Sequence, residues 1–321
     1  MAKKRKLKKS IWVVLILLII VIGASIYGYK KYQEYLYEQT YEYKLLTHGY
    51  NMEETKLLEN VFNEDRELDN ILTIEKSDKI ISLLKEKYFI KKNYQDYLTY
   101  IEKNKNKKLE DVVRTINTKI NNKHYTLDLK TDMSKGTSIL VNKYYQLDST
   151  YKPDDLVTIS TNYSWGELGD NQTRQVTYDA FLNMWQGAKD AGYYLMVNSS
   201  FRTYQSQEEI FNYYKETKGE KYADSLAARP GYSEHQSGLA LDIFSKQNTN
   251  KKTFKDSETA KWLKENSYKY GFILRYPEEI TYITGYDFEA WHYRYVGNEI
   301  AEFIFKNNIS FEEYYAFYLD K

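Results

Sequence analysis

The sequence predicts an α+β protein in which a mostly antiparallel sheet with flanking helices carries the chemistry, preceded by a transmembrane helix and a small helical region. Three observations predict it: an uninterrupted apolar run near the start, amphipathic segments of helical period after it, and a C-terminal half where helical segments are followed by short apolar stretches of strand character. Residues 1–10 form a basic tail containing Lys3, Lys4, Arg5, Lys6, Lys8 and Lys9, and residues 11–28 are apolar over close to the length that spans a bilayer. Basic residues stay on the cytoplasmic side, which places the rest of the chain outside the cell. A cleaved signal peptide is the competing reading. Ala24-Ser25-Ile26 is a poor cleavage site and the apolar run exceeds the usual signal core, which favours an uncleaved anchor.

Residues 29–122 read as a helical stalk followed by a small helical bundle. Residues 29–43 are rich in Lys, Glu and Tyr; further on, Ile80, Ile81, Leu83 and Leu84 recur at helical spacing after Ser77, a capping residue. Residues 109–116 repeat that pattern. No side chains here assemble a site, so the region reads as a spacer with its own core, with a wall- or partner-binding module as the alternative.

The remaining domain is 123–321. Residues 125–129 and 138–142 have strand character. Residues 178–191 are the clearest helix, with Phe181, Met184, Trp185 and Ala188 on one face and Gly192 as its stop. A strand over 193–197 then delivers Arg202 at its exit. Helices over 206–218 and 258–270 follow, the second closed by Gly271.

Composition narrows the chemistry. With 46 Lys and Arg against 45 Asp and Glu, the net charge of +1 argues against nucleic acid as a partner. Zero cysteines exclude disulfides, lipoprotein anchoring and cysteine-ligated zinc, leaving His and carboxylates as the metal ligands available. Tyrosine is unusually frequent at 35 residues, for which biased genome composition and carbohydrate-facing surface are the two readings.

Only four histidines occur, and two of them keep telling company. His235 lies in Ser233-Glu234-His235-Gln236-Ser237-Gly238, ahead of the apolar run ending at Asp242 and Phe244; His292 lies in Glu289-Ala290-Trp291-His292. A catalytic zinc site needs three protein ligands, an open position and a nearby carboxylate to take the proton of water. His235, Asp242 and His292 can be the ligands and Glu289 the base. The run after Gly238 reads as a buried strand, making His235 a loop ligand and Asp242 a strand ligand. Trp291, Tyr293, Tyr295 and Val296 favour a strand around His292, where odd spacing would separate Glu289 from it, so Glu289 belongs in the turn before that strand. Each residue alone has a duller reading: a satisfied core histidine, a buried acceptor, a packing tryptophan at Trp291. Burying Asp242 without a cation or several donors is costly, and a metal is the simplest compensation. His48 and His124 lack partners at ligand spacing and read as structural or exposed.

The string S-E-H-Q-S-G-L-A-L-D with E-A-W-H-Y-R-Y-V-G resembles the VanY-type D-alanyl-D-alanine carboxypeptidases, a branch of the zinc peptidases related to lysostaphin, D-Ala-D-Ala dipeptidases and hedgehog domains. Residues 199–207, S-S-F-R-T-Y-Q-S-Q, are similar to the same family's S-G-Y-R-S-x-x-x-Q segment, with Ser200 and Phe201 standing where Gly and Tyr are common. That departure implies a tighter or less solvated turn. The resemblance covers roughly residues 148–304. It implies that His235, Asp242 and His292 hold zinc, that Glu289 is the general base, that Arg202 stabilises the oxyanion, and that Ser233 and Gln207 grip the substrate's terminal carboxylate or adjacent amide. The expected protein is a membrane-anchored extracellular zinc carboxypeptidase removing D-alanine from peptidoglycan stem peptides, D,D- or L,D-specific. A zinc endopeptidase cutting crosslinks, or a non-catalytic wall-binding module, are the alternatives.

Overall fold

The computed structural model describes residues 9–63, 66–165 and 171–320, so the expected basic tail lies outside them up to Lys8. The apolar run and the Tyr-rich segment after it form one continuous helix, Lys9–Glu38. Its stretch from Ile11 is long and apolar enough to cross a membrane, and its large apolar side chains are exposed rather than packed into a core. The chain divides into two compact units, Met1–Tyr94 and Gln95–Lys321.

Within the first unit, short helices Tyr41–Thr47, Met52–Phe62, Arg66–Leu72 and Asp78–Leu84 bury Leu45, Leu58, Phe62, Leu68, Ile71 and Leu83. Their starts follow capping rules. Asn51 and Glu54 form a reciprocal capping box, and the Ser77 hydroxyl accepts from the Ile80 N–H at 3.3 Å, as its sequence position predicts.

The division falls after Tyr94, whereas the sequence groups 29–122 together. A long-range ion pair ties part of that stretch to the end of the chain: Arg114, on the helix Leu109–Asn117, donates to the largely buried Glu313 at 2.8 Å. That helix therefore belongs with the second unit.

The second unit is built on a four-stranded antiparallel sheet in the order Leu195–Ser199, Ala240–Ser245, His292–Tyr295, Phe272–Leu274. Helices Gln175–Asp190 and Glu258–Asn266 cover it, and Phe181, Met184, Leu241, Ile243, Leu263 and Tyr293 meet in its main core. The anticipated helix stops hold. Gly192 and Gly271 have φ of 91° and 83°, the left-handed conformation that glycine adopts without steric cost.

Two anticipated strands do not form. In 125–129, Tyr125 and Asp128 have φ of 61° and 49°, which breaks the extended run, and only Leu129–Lys130 pairs, in parallel, with Tyr145–Gln146. Ser138 ends a 3₁₀ turn begun at Met133, and Ile139, Leu140 and Val141 are buried in irregular backbone. Their polar groups find partners other than a neighbouring strand: the Ile139 carbonyl accepts from Arg294 at 2.8 Å and the Leu140 carbonyl from the Thr131 hydroxyl at 2.9 Å. Apolar composition recorded burial there, not extension.

Candidate metal centre and active site

Strand register assembles the site. Asp242 and His292 are direct cross-strand partners, and Ser199 pairs with Asp242 on its other side. In the sequence fifty residues separate Asp242 from His292; in the sheet they are neighbours. His235 stands on a 3₁₀ turn, Glu234–Ser237, that ends at Gly238 with φ 67°. A Cβ at Gly238 would meet the Arg174 side chain at 2.9 Å, so this reversal into the Asp242 strand requires glycine on both counts.

The three expected ligands converge. One donor atom from each of His235, Asp242 and His292 lies within 4.8 Å of the others, and all three residues are buried. His292 Nδ1 is 3.2 Å and His235 Nε2 3.5 Å from Asp242 Oδ1. The far side of each ring is tied down. His235 Nδ1 lies 2.7 Å from the Ser200 carbonyl, and His292 Nε2 lies 3.2 Å from Glu234 Oε2. With the protons on those far nitrogens, both near nitrogens turn a lone pair to one point, as metal-binding imidazoles require.

Glu289 sits in the turn before the His292 strand, where its Oε2 is 3.7 Å from His292 Nδ1. The turn is closed by the His292 N–H donating to the Glu289 carbonyl at 3.3 Å. Burial pushes the Glu289 carboxyl up to about 7, whereas Asp242 stays well below the ordinary range because the hydrogen bonds and charge of His235 and His292 outweigh its burial. Two carboxylates in one pocket are thus held in opposite protonation regimes. Burial alone would lower His292, but the hydrogen bonds to Asp242 and Glu234 raise it to about 9 when no cation is bound.

Arg202, three residues beyond the Leu195–Ser199 strand, lines the same pocket with its guanidinium fixed at two points: 2.8 Å to Gln207 Oε1 and 2.8 Å to Ser199 Oγ. Gln207 is itself buried, its amide nitrogen donating to the Ala228 carbonyl at 2.7 Å. Ser233 also lines the pocket, and its hydroxyl makes no hydrogen bond among the described residues. Ser200 is buried, in keeping with the less solvated turn expected there. Trp291 lines the pocket while stacking on Phe244 at 6.0 Å.

Sequence reasoning missed what stands behind His292. Glu234 is fully buried and accepts from Arg275 Nε at 2.8 Å and Arg294 Nη1 at 3.1 Å. Arg275 in turn makes a two-point pair with Glu312, at 2.5 and 2.9 Å, and Asn142 donates to the same carboxylate at 3.2 Å. Arg294 spends its other nitrogens on the carbonyls of Thr137, Ile139 and Tyr295. The attraction of Arg275 and Arg294 overcomes burial and holds Glu234 ionised, well below the usual carboxylate range. One signal was available: Arg294 follows His292 by two on a strand and so shares its face.

Comparison with known proteins bears on this geometry. The profile of the family described as VanY, D-alanyl-D-alanine carboxypeptidase, matches residues 170–298. The chain is 42% identical over 179 residues to the putative carboxypeptidase YodJ of Bacillus subtilis, covering 55% of this chain and 66% of that one. It is 37% identical over 186 residues to the bifunctional D-Ala-D-Ala dipeptidase and D-Ala-D-Ala carboxypeptidase VanXYC of Enterococcus gallinarum, covering 57% of this chain and 95% of the relative. The solved structure of the LdcB LD-carboxypeptidase superimposes with a TM-score of 0.56 at 39% identity, over 61% of this chain and 94% of that one. The chain belongs to the VanY family.

As a VanY-family member it is a metallopeptidase, and the buried His235, Asp242 and His292 cluster is its candidate metal site, with donor types that suit zinc. The donor set fits that ion: two imidazole nitrogens and one carboxylate oxygen leave a fourth position open, and both rings have their outer nitrogens occupied. Glu234 should then matter to metal affinity without touching the metal. Glu234→Gln is expected to weaken zinc binding by about 10- to 100-fold, the usual effect of losing a partner behind a histidine ligand. Competition with a chromophoric chelator measures this, and parental affinity in that variant would remove Glu234 from the centre.

Proposed function

We propose that the chain is a membrane-anchored extracellular carboxypeptidase that removes the terminal D-alanine of peptidoglycan stem peptides. The observation that carries the reading is the convergence of His235, Asp242, His292, Glu289, Arg202 and Ser233 on one pocket of about 430 Å³. Support comes from the relatives, which are named for carboxypeptidase action on D-Ala-D-Ala and, in one case, for LD-carboxypeptidase action and peptidoglycan recognition.

His235, Asp242 and His292 hold the zinc, which when bound makes water a nucleophile near neutral pH and polarises the scissile carbonyl. Glu289 accepts the proton of the attacking water and later returns it to the departing amine of D-alanine. Its carboxyl, raised to about 7 by burial, is matched to a group that must both take and give a proton at neutral pH. Arg202 faces the oxygen on which charge develops. Gln207 contributes by fixing Arg202, and the unbonded hydroxyl of Ser233 is available to the terminal carboxylate or adjacent amide.

The helix that includes Ile11 anchors the chain, and the short helices between it and Tyr94 act as the spacer before the catalytic domain. Protease added to intact cells is expected to degrade everything beyond about residue 30 while the N-terminal fragment stays in the membrane fraction. A mature protein beginning near Ile26 in the medium would show a cleaved signal instead.

Mass spectrometry of defined penta- and tetrapeptide muropeptides incubated with the protein tests the activity and decides between D,D and L,D cleavage. Glu289→Gln should keep its zinc while lowering D-alanine release at least about a hundredfold. Arg202→Ala should lower kcat by a smaller factor, the metal sharing the oxyanion charge. Parental turnover in Glu289→Gln, or its loss together with zinc, would contradict the role assigned to Glu289.

A further inference from the structure

The pocket has two walls of different construction. One is a helical hairpin, Tyr204–Lys218 and Glu220–Leu226, turned at Gly219 with φ 91°. Phe211, Ala223 and Ala227 form a small core of the hairpin's own, separate from the core under the sheet, while Ile210, Tyr214 and Leu226 face the pocket. The opposite wall carries Tyr276, Tyr286 and Glu289. A hairpin with so small a core needs a tether to keep its distance from that wall.

Lys143 provides one. It is 2% exposed, outside the pocket lining, and makes no ion pair among the described residues. Its Nζ donates to the Asp224 carbonyl in the hairpin at 2.6 Å and to the Gly285 carbonyl of the opposite wall at 2.5 Å. The ammonium also lies 4.1 Å from the centroid of the Tyr286 ring. Burial draws its pKa down to about 8 while the charges of Asp224 and Asp287 pull it the other way, and the ammonium also lies 5.8 Å from the centroid of the Tyr125 ring. The opposite wall is shaped to receive it: at Gly285, φ is 72°, and a Cβ would lie 2.5 Å from His124 and 3.1 Å from the Lys143 chain. On the outer side, Arg229 grips the Asp224 carboxylate with two contacts of 2.8 Å and Glu220 at 2.7 Å, fastening the same helix.

We propose that Lys143 is a positioning residue that ties the 204–226 hairpin to the Gly285-Tyr286 wall and so sets how tightly the pocket closes on its peptide. The proposal takes the pocket to be the peptide site described above. Lys143 touches neither substrate nor metal donors; it acts through the spacing of the two walls.

The full-length zinc-loaded protein and its Lys143→Met variant, which keeps the unbranched apolar stem but removes the ammonium donors, give the test. KM for a stem peptide should rise about tenfold with kcat within about twofold and zinc content unchanged, because binding and not the chemical step depends on the tether. Hydrogen exchange should accelerate across residues 204–228 while the strands Ala240–Ser245 and His292–Tyr295 keep parental protection. The exchange reading does not depend on turnover, so a parent protein that releases no D-alanine would count against the proposed activity and leave the tether to be judged by exchange. A loss of kcat with unchanged KM, or unchanged exchange in the hairpin, would overturn the inference. Should Lys143→Met fail to fold, Arg229→Gln loosens the same helix from its solvent side; it should raise KM in the same direction, and parental KM with parental exchange there would overturn the inference as well.

Discussion

The centre depends on a balanced set of buried charges behind His292. Glu234 and Glu312 supply two carboxylates, Arg275 and Arg294 two guanidiniums, and none of the four side chains is more than 1% exposed. Removing one partner from such a set leaves an uncompensated charge in a dry interior, a cost of about 3–5 kcal/mol, so the group persists only as a whole. Its members come from different parts of the domain. Glu234 opens the turn that carries His235, Arg275 follows the edge strand Phe272–Leu274, Arg294 lies on the His292 strand, and Glu312 lies on the helix Phe311–Tyr314. One electrostatic unit therefore fixes the ligand turn, two strands and the C-terminal region against each other.

That constraint reaches the chemistry through His292. Glu234 takes the outer nitrogen of the ring, which leaves Nδ1 for the metal side, and Asp242 sits opposite by strand register. The His292 strand, in the interior of the sheet, starts from the turn that holds Glu289, close enough to share a reacting group and buried enough for its carboxyl to rise to about 7. The Asp242 carboxyl, held low by the two histidines, and the Glu289 carboxyl, raised by burial, thus sit in opposite regimes within one pocket.

Much of this was legible in the sequence, for a physical reason. The apolar run to Phe244 and the aromatic alternation after Trp291 specify buried strands, and both ligands on them follow directly. The helix over Gln175–Asp190 and its stop were visible in its period and in Gly192. What was illegible depends on long-range pairing. A lone Arg275 or Glu312 looks like any surface charge until the fold brings the two within hydrogen-bond distance, and Arg114 gives no hint that it will pair with Glu313. The segments 125–129 and 138–142 misled for the complementary reason. Their apolar residues are buried, but left-handed backbone at Tyr125 and Asp128 and side-chain donors to the Ile139 and Leu140 carbonyls replace strand pairing.

The central claim is that one zinc is held by His235, Asp242 and His292, with His292 presenting Nδ1 because Glu234 occupies its other nitrogen. Diffraction from crystals of the zinc-loaded protein at the zinc absorption edge measures this directly. A single anomalous peak about 2.0–2.2 Å from His235 Nε2, an Asp242 oxygen and His292 Nδ1, with Glu289 beyond bonding distance, is the predicted result. A peak bonded to His292 Nε2 or to Glu234, or no peak among these residues, would contradict it.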